Sequence, residues 1–185
     1  RGRPDWQRDG KQIEESGYST YLFADEASKQ IRNRDKARPF YLQVAFNAPH
    51  VELAAPEDLV AKHKSDGLYG AVVEGLDIGV GRILATLDEQ GLRDNTLVIF
   101  VSDNGASRRN GSNAPLRGYK SSVDEGGIRT PAIIRWPQRV PAGVKLDQPV
   151  AIIDLFPTIA AAANLPLTAE LKLDGVNQWP AVAGG

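Results

Sequence analysis

Thr96-Leu97-Val98-Ile99-Phe100-Val101-Ser102-Asp103-Asn104-Gly105 is the stretch on which the reading of this chain turns. Its first six residues form a continuous β-branched and aromatic run, which predicts a strand. Continuity rather than alternation predicts burial on both faces, as in a parallel sheet covered by helices. The run then stops in a carboxylate, an amide and a glycine. In open α/β sheets, ligands bind beyond the carboxyl ends of strands, so the position invites chemistry. Asp103 and Asn104 offer hard oxygen donors of the kind Ca²⁺ or Mg²⁺ takes. Asp-Asn-Gly is equally an ordinary turn sequence. Two ligands also fall short of the six to eight or so oxygens that Ca²⁺ wants.

Upstream of this run, Val72, Val73, Leu76, Val80, Ile83, Leu84 and Leu87 recur at three- and four-residue spacing and predict a helix from Tyr69 to Gln90. Gly91 stands just past its end. Gly75, Gly79 and Gly81 each cost about 1 kcal/mol against Ala inside a helix, which implies close packing on a neighbour. Phe40 to Phe46 reads as a strand ended by Asn47-Ala48-Pro49-His50, and Tyr21 to about Asp35 as a helix. Pro56 to Lys64 reads as a short helix, on which His63 is taken as solvated between lysines.

Downstream, residues 102–130 are polar and glycine-rich. Ala132 to Trp136 and Val150 to Ile153 are two more strand candidates, and Asp154 precedes a helix through about Ala163. Strands alternating with helices predict an α/β sandwich. Residues 1–17 read as an irregular lead-in and 165–185 as a loop-like tail.

Composition narrows the functions. The chain has 185 residues, 42% of them hydrophobic, with 22 Lys+Arg against 23 Asp+Glu. Near-neutral, interspersed charge argues against nucleic-acid or polybasic membrane binding. No apolar run reaches the ~18 residues of a membrane span. There is no cysteine, which excludes disulfides, thiolate zinc sites and cysteine nucleophiles within these residues. His50 and His63 are its two histidines. His50 can donate to an anion or protonate a leaving group, or be a surface histidine behind a proline turn. Lys120 can pair with an anion or be one more surface lysine.

Taken in order, the segments resemble the C-terminal part of the sulfatase family, in the alkaline-phosphatase-like superfamily. The matching stretches are Arg38-Pro39-Phe40-Tyr41-Leu42 with Ala48-Pro49-His50, Leu76-Asp77 with Val80-Gly81-Arg82, and Ser102-Asp103-Asn104-Gly105. They continue with Pro115-Leu116-Arg117-Gly118, Lys120, Glu125-Gly126-Gly127-Ile128-Arg129 and Ile153-Asp154-Leu155-Phe156-Pro157-Thr158. The resemblance implies an α/β three-layer sandwich around a mostly parallel sheet, with residues 1–185 as a single partial domain. It implies Asp103 and Asn104 as two ligands of Ca²⁺ (or Mg²⁺), and His50 and Lys120 as catalytic and sulfate-binding groups. Arg129 and Asp154 are expected to be structural, and Glu125-Gly126-Gly127 to hold the loop's shape.

The implied substrate is a sulfate ester. The implied nucleophile is a formylglycine made from the Cys or Ser of a Cys/Ser-x-Pro/Ala-x-Arg motif. No serine here fits that motif: Ser112-Asn113-Ala114-Pro115-Leu116 places Leu116 where Arg is required. The expectation is therefore a fragment carrying half of a metal and sulfate site, inactive by itself. The nucleophile and the remaining metal ligands are expected upstream, as is any targeting segment. A phosphate or phosphonate ester hydrolase of the same superfamily, or a non-catalytic sulfatase-derived module, is the alternative.

Overall fold

The computed structural model describes residues 6–65 and 67–184. It divides into two compact units, one through Gly91 and one from Leu92 onward.

The first unit is built on helices. Helix α1, Ser19–Asn33, buries Thr20, Ala24, Ala27, Ser28 and Ile31, a stripe at helical spacing. Helix α3, Gly67–Glu89, buries Ala71, Val72, Gly75, Gly79, Thr86 and Leu87. The two pack through small residues. A Cβ placed on Gly79 would lie 3.3 Å from Thr20 Cγ2, and one on Gly75 3.0 Å from the Tyr18 ring. Gly81 has open space instead, so of the three helix glycines it alone is not explained by close packing. Arg82 crosses to Asp25 at 3.1 Å and lies over the Tyr21 ring at 4.0 Å.

Helix α2, Glu57–Lys62, begins after Pro56 and buries Leu59. Lys62 and His63 both reach Glu74 on α3. His63 is thus a part-buried, paired residue rather than a solvated one. The sequence signal was misleading because its partner lies 11 positions away. The two interactions, Lys62 first, hold the Glu74 carboxyl below its ordinary range.

The lead-in is more ordered than expected. Strands β1, Gln7–Arg8, and β2, Lys11–Gln12, form an antiparallel hairpin. Its turn residues, Asp9 and Gly10, have φ of 52° and 72°. Asp-Gly with both φ positive is the favoured two-residue hairpin turn, a signal the sequence carried and the reading passed over. Residues 40–46 form no strand, and Tyr41 is 74% exposed. Their composition has strand propensity, but a ladder also needs a partner, and among the described residues none pairs with them.

The second unit contains β3, Val98–Val101, and β4, Ala132–Arg135, paired antiparallel with Ile99 opposite Ile134 and Phe100 opposite Ile133. The parallel sheet expected from the apolar run is not what these residues form. With one neighbour among the described residues, β3 is half-buried and Val101 exposed. Residues 150–153 also form no strand. Ile152–Asp154 is a 3₁₀ turn leading into helix α5, Leu155–Ala162, and Ile152 is 61% exposed.

Helix α4, Glu125–Ile128, is a single turn. The tail is not wholly loop-like, since it carries a short helix α6, Trp179–Val182. Asp154 ties the tail down. It is 7% exposed and accepts the Val176 N–H at 2.7 Å, the Ala151 N–H at 2.9 Å and Gln178 Nε2 at 3.4 Å. Arg139 stacks on Trp136 and Trp179 and donates to the Ala162 carbonyl at 2.8 Å.

Candidate functional site

Asp103 and Asn104 follow directly from β3, whose end is fixed by Ser102 N–H donating to the Pro131 carbonyl at 3.2 Å. Ser102 Oγ donates to the Asn104 carbonyl at 3.0 Å, so the backbone bends sharply there. Asp103 is exposed, and among the described residues its carboxylate has no hydrogen-bond or ion-pair partner. Asn104 is half-buried. Its Nδ2 donates to the Gly105 carbonyl at 3.1 Å, which leaves Oδ1 as an uncommitted acceptor. One carboxylate and one amide oxygen at a fixed strand end suit a hard cation. Among the described residues, no group of three or more His, Asp or Glu side chains converges on a metal position.

The loop that carries Lys120 is locked onto this strand end by backbone contact. Gly105 N–H donates to the Gly127 carbonyl at 3.0 Å, Gly126 N–H to Arg117 at 2.7 Å, and Lys120 N–H to Ala106 at 3.0 Å. A Cβ on Gly105 would sit 1.8 Å from the Gly126 oxygen, and one on Gly127 2.1 Å from the Ser122 oxygen. Gly105 is absent from the positive-φ residues. Its role is therefore close backbone approach, not the left-handed turn that Asp-Asn-Gly suggests. At Gly118, φ is +92° and a Cβ would lie 2.6 Å from that of Asp124, so both demands apply.

Charge around the loop is mixed. Arg117 pairs with Asp124 at 3.6 Å and Arg129 with Glu125 at 3.3 Å, both exposed on the cation side. Such pairs hold loop shape weakly. Arg108 lies over the Tyr119 ring at 5.6 Å. Lys120 is exposed, and its ammonium has no partner among the described residues. The structure thus brings Asp103, Asn104 and Lys120 into one loop cluster within the second unit.

His50 belongs to the first unit and is described there by itself. It is exposed, its N–H closes a turn onto the Asn47 carbonyl at 2.9 Å, and Nδ1 lies 2.6 Å from the Val51 carbonyl. A ring nitrogen facing a carbonyl oxygen must carry its hydrogen, which leaves Nε2 as the ring nitrogen outside that contact.

The sequence reading missed Asn113. Its Oδ1 accepts the Ala106 N–H at 2.8 Å, and its Nδ2 donates to the Ala106 carbonyl at 3.2 Å and the Gly118 carbonyl at 3.1 Å. Nothing in Ser112-Asn113-Ala114-Pro115 marks this role.

Comparison with known proteins gives a consistent result. The family described as Sulfatase matches residues 2–165. Steryl-sulfatase of Mus musculus is 39% identical over 177 residues, which is 91% of this chain and 28% of that protein. N-acetylgalactosamine-6-sulfatase of Canis lupus familiaris is 35% identical over 195 residues, covering 98% of this chain and 37% of that protein. The crystal structure of Ps i-CgsB in complex with k-i-k-neocarrahexaose superposes with a TM-score of 0.88 at 38% identity, over 94% of this chain and 40% of that one. The chain thus spans 28%, 37% and 40% of these three proteins.

Proposed function

The chain belongs to the sulfatase family, and on that premise we propose that it forms the C-terminal part of the catalytic domain of a sulfuric ester hydrolase. In this reading Asp103 and Asn104 hold Ca²⁺ (or Mg²⁺) through one carboxylate and one amide oxygen, with further ligands supplied by the rest of the polypeptide. A cation bound there supplies Lewis-acid polarisation of the sulfate oxygens. The observation that carries the proposal is the pair of uncommitted side-chain oxygens at the end of β3, on a loop whose next residues hydrogen-bond the backbone of Lys120.

The chain's own groups have distinct tasks. Lys120 presents a compact ammonium that neutralises a sulfate oxygen. His50 presents Nε2, because Nδ1 is committed to the Val51 carbonyl. It donates through Nε2 only as imidazolium. In that form it passes a proton to the ester oxygen as the S–O bond breaks, so the product leaves as an alcohol. The glycine contacts at 105, 126 and 127 keep the cation ligands and Lys120 at fixed spacing, as electrostatic stabilisation of developing charge requires. The formylglycine nucleophile belongs to the remainder of the protein, and the 185 residues alone do not turn over sulfate esters.

The three-layer sandwich around a mostly parallel sheet is part of the same proposal. Its support is apolar surface left open within each unit: Phe40, Tyr41 and Leu42 in the first, and Val101, Ile133, Ile152 and Ile153 in the second. Exposed apolar side chains of this kind suit a face that packs against further protein.

The test is kinetic and uses the complete polypeptide that carries this segment, with paired aryl sulfate and aryl phosphonate substrates. The sulfate is expected to be the faster substrate. Asp103→Ala and Lys120→Ala should each lower kcat/KM on it by about 100-fold or more. Faster turnover of the phosphonate, or full activity in both variants, refutes the proposal.

A further inference from the structure

We propose that Asn113 is the positioning residue that sets the spacing between the Asp103–Asn104 pair and Lys120; the inference rests on the functional reading above. Ala106 is two residues beyond Asn104, and its peptide group is the junction of the loop. Its N–H donates to Asn113 Oδ1, while its carbonyl accepts both Asn113 Nδ2 and the Lys120 N–H. The second hydrogen of Nδ2 goes to the Gly118 carbonyl, two residues before Lys120. One side chain therefore holds both arms of the loop, and each of its polar atoms is committed inward.

That geometry distinguishes Asn113 from a group that binds substrate. Both of its amide hydrogens are used and Oδ1 already accepts an N–H, so its effect acts through the placement of Lys120 against the cation pair. It also fixes the chemistry of substitution. Asp at 113 keeps the acceptor for the Ala106 N–H but turns an oxygen toward the Ala106 and Gly118 carbonyls, acceptor against acceptor. Ala at 113 leaves the Ala106 N–H and the Gly118 carbonyl without these partners.

Two measurements test the idea. In the 185-residue chain, Asn113→Ala and Asn113→Asp should speed amide hydrogen exchange at Ala106 and Lys120 by about tenfold or more, leaving Ile99 and Ile134 in the β3–β4 ladder unchanged. In the complete polypeptide, Asn113→Ala should lower kcat/KM on an aryl sulfate by about tenfold or more, yet cause no further loss when combined with Lys120→Ala. A merely structural role would give additive losses, and additivity, or unchanged exchange at Lys120, overturns the proposal. If Lys120→Ala by itself retains full activity, the functional reading fails and the positioning role falls with it. Loss of activity in Lys120→Ala with additive behaviour of Asn113→Ala overturns the positioning role alone.

Discussion

Replacing Gly126 by alanine is the sharpest test of how the site is held. Gly126 lies in the single-turn helix α4, where helix propensity alone favours Ala over Gly by about 1 kcal/mol. The structure demands the opposite sign. A Cβ at Gly126 would lie 2.4 Å from the Gly118 oxygen and 2.7 Å from the Arg117 oxygen. Both are backbone carbonyls already committed, one to Asn113 Nδ2 and the other to the Gly126 N–H itself. No flexible side chain is available to move aside. Overpacking of this kind costs about 1–3 kcal/mol, and two fixed carbonyls put Gly126→Ala at about 3.

On the usual size scaling, that lowers Tm by about 6–12 °C if the chain unfolds as one, and by about twice that if the unit from Leu92 onward unfolds separately. Gly81→Ala is the matched control. Nothing lies within 4 Å of its Cβ position on α3, so the same substitution should stabilise by about 1 kcal/mol. Thermal unfolding followed by circular dichroism, with urea titration as a second probe, reads both. Gly126→Ala melting within about 2 °C of the parent, or shifting in the same direction as Gly81→Ala, would refute the close-approach argument.

Asp154→Asn should loosen the tail, because an amide turns a donor toward the Val176, Ala151 or Gln178 donors. The Val176 N–H, followed by the Ala151 N–H, holds the Asp154 carboxyl below its ordinary value. A depressed carboxylate contributes stability above its unfolded pKa of about 3.9, and that contribution is lost as pH falls through the lower folded value. Parent Tm should therefore drop on acidification below about pH 4, whereas the variant should melt lower at neutral pH and respond less over that window; parallel Tm–pH curves would contradict this. Calorimetry should find Ca²⁺ binding to the 185-residue chain weaker than about millimolar, since Asp103 and Asn104 supply only part of a coordination shell, and micromolar affinity would overturn the incomplete site. Sedimentation velocity should show concentration-dependent association, because among the described residues β3 and β4 have one partner each and Ile133 is 62% exposed; a monomer at all concentrations would count against an exposed edge.

The legible parts of the fold are those whose cause is local. The apolar spacing in α1 reports which side of that helix packs, and the run at Val98–Val101 reports a strand; in α3 only Val72 and Leu87 of the seven apolar positions are buried, because the packed side also runs through Ala71, Gly75 and Gly79. What propensity cannot report is the partner. Phe40 to Phe46 and Val150 to Ile153 have the composition of strands, but neither forms a ladder among the described residues, and β3 pairs antiparallel with β4 where continuity suggested a parallel neighbour. The hairpin at residues 7–12 errs the other way, since its polar strands hide a pairing that Asp9-Gly10 alone announces.

The site shows the same division at the level of single atoms. Asn104 and Asn113 are the same residue type, nine positions apart in one polar, glycine-rich stretch. The first keeps Oδ1 uncommitted and is a candidate ligand. The second uses its oxygen and both amide hydrogens on Ala106 and Gly118. Their difference is decided by where Ala106 and Gly118 lie, which depends on glycine contacts between residues 105 and 126 that leave no periodic trace in the sequence. An oxygen ligand needs a lone pair left for the cation, whereas the clamp at Asn113 engages its oxygen and both amide hydrogens. The hydrogen-bond inventory of each amide, rather than its type or its position in a motif, therefore separates a binding group from the scaffold that places it.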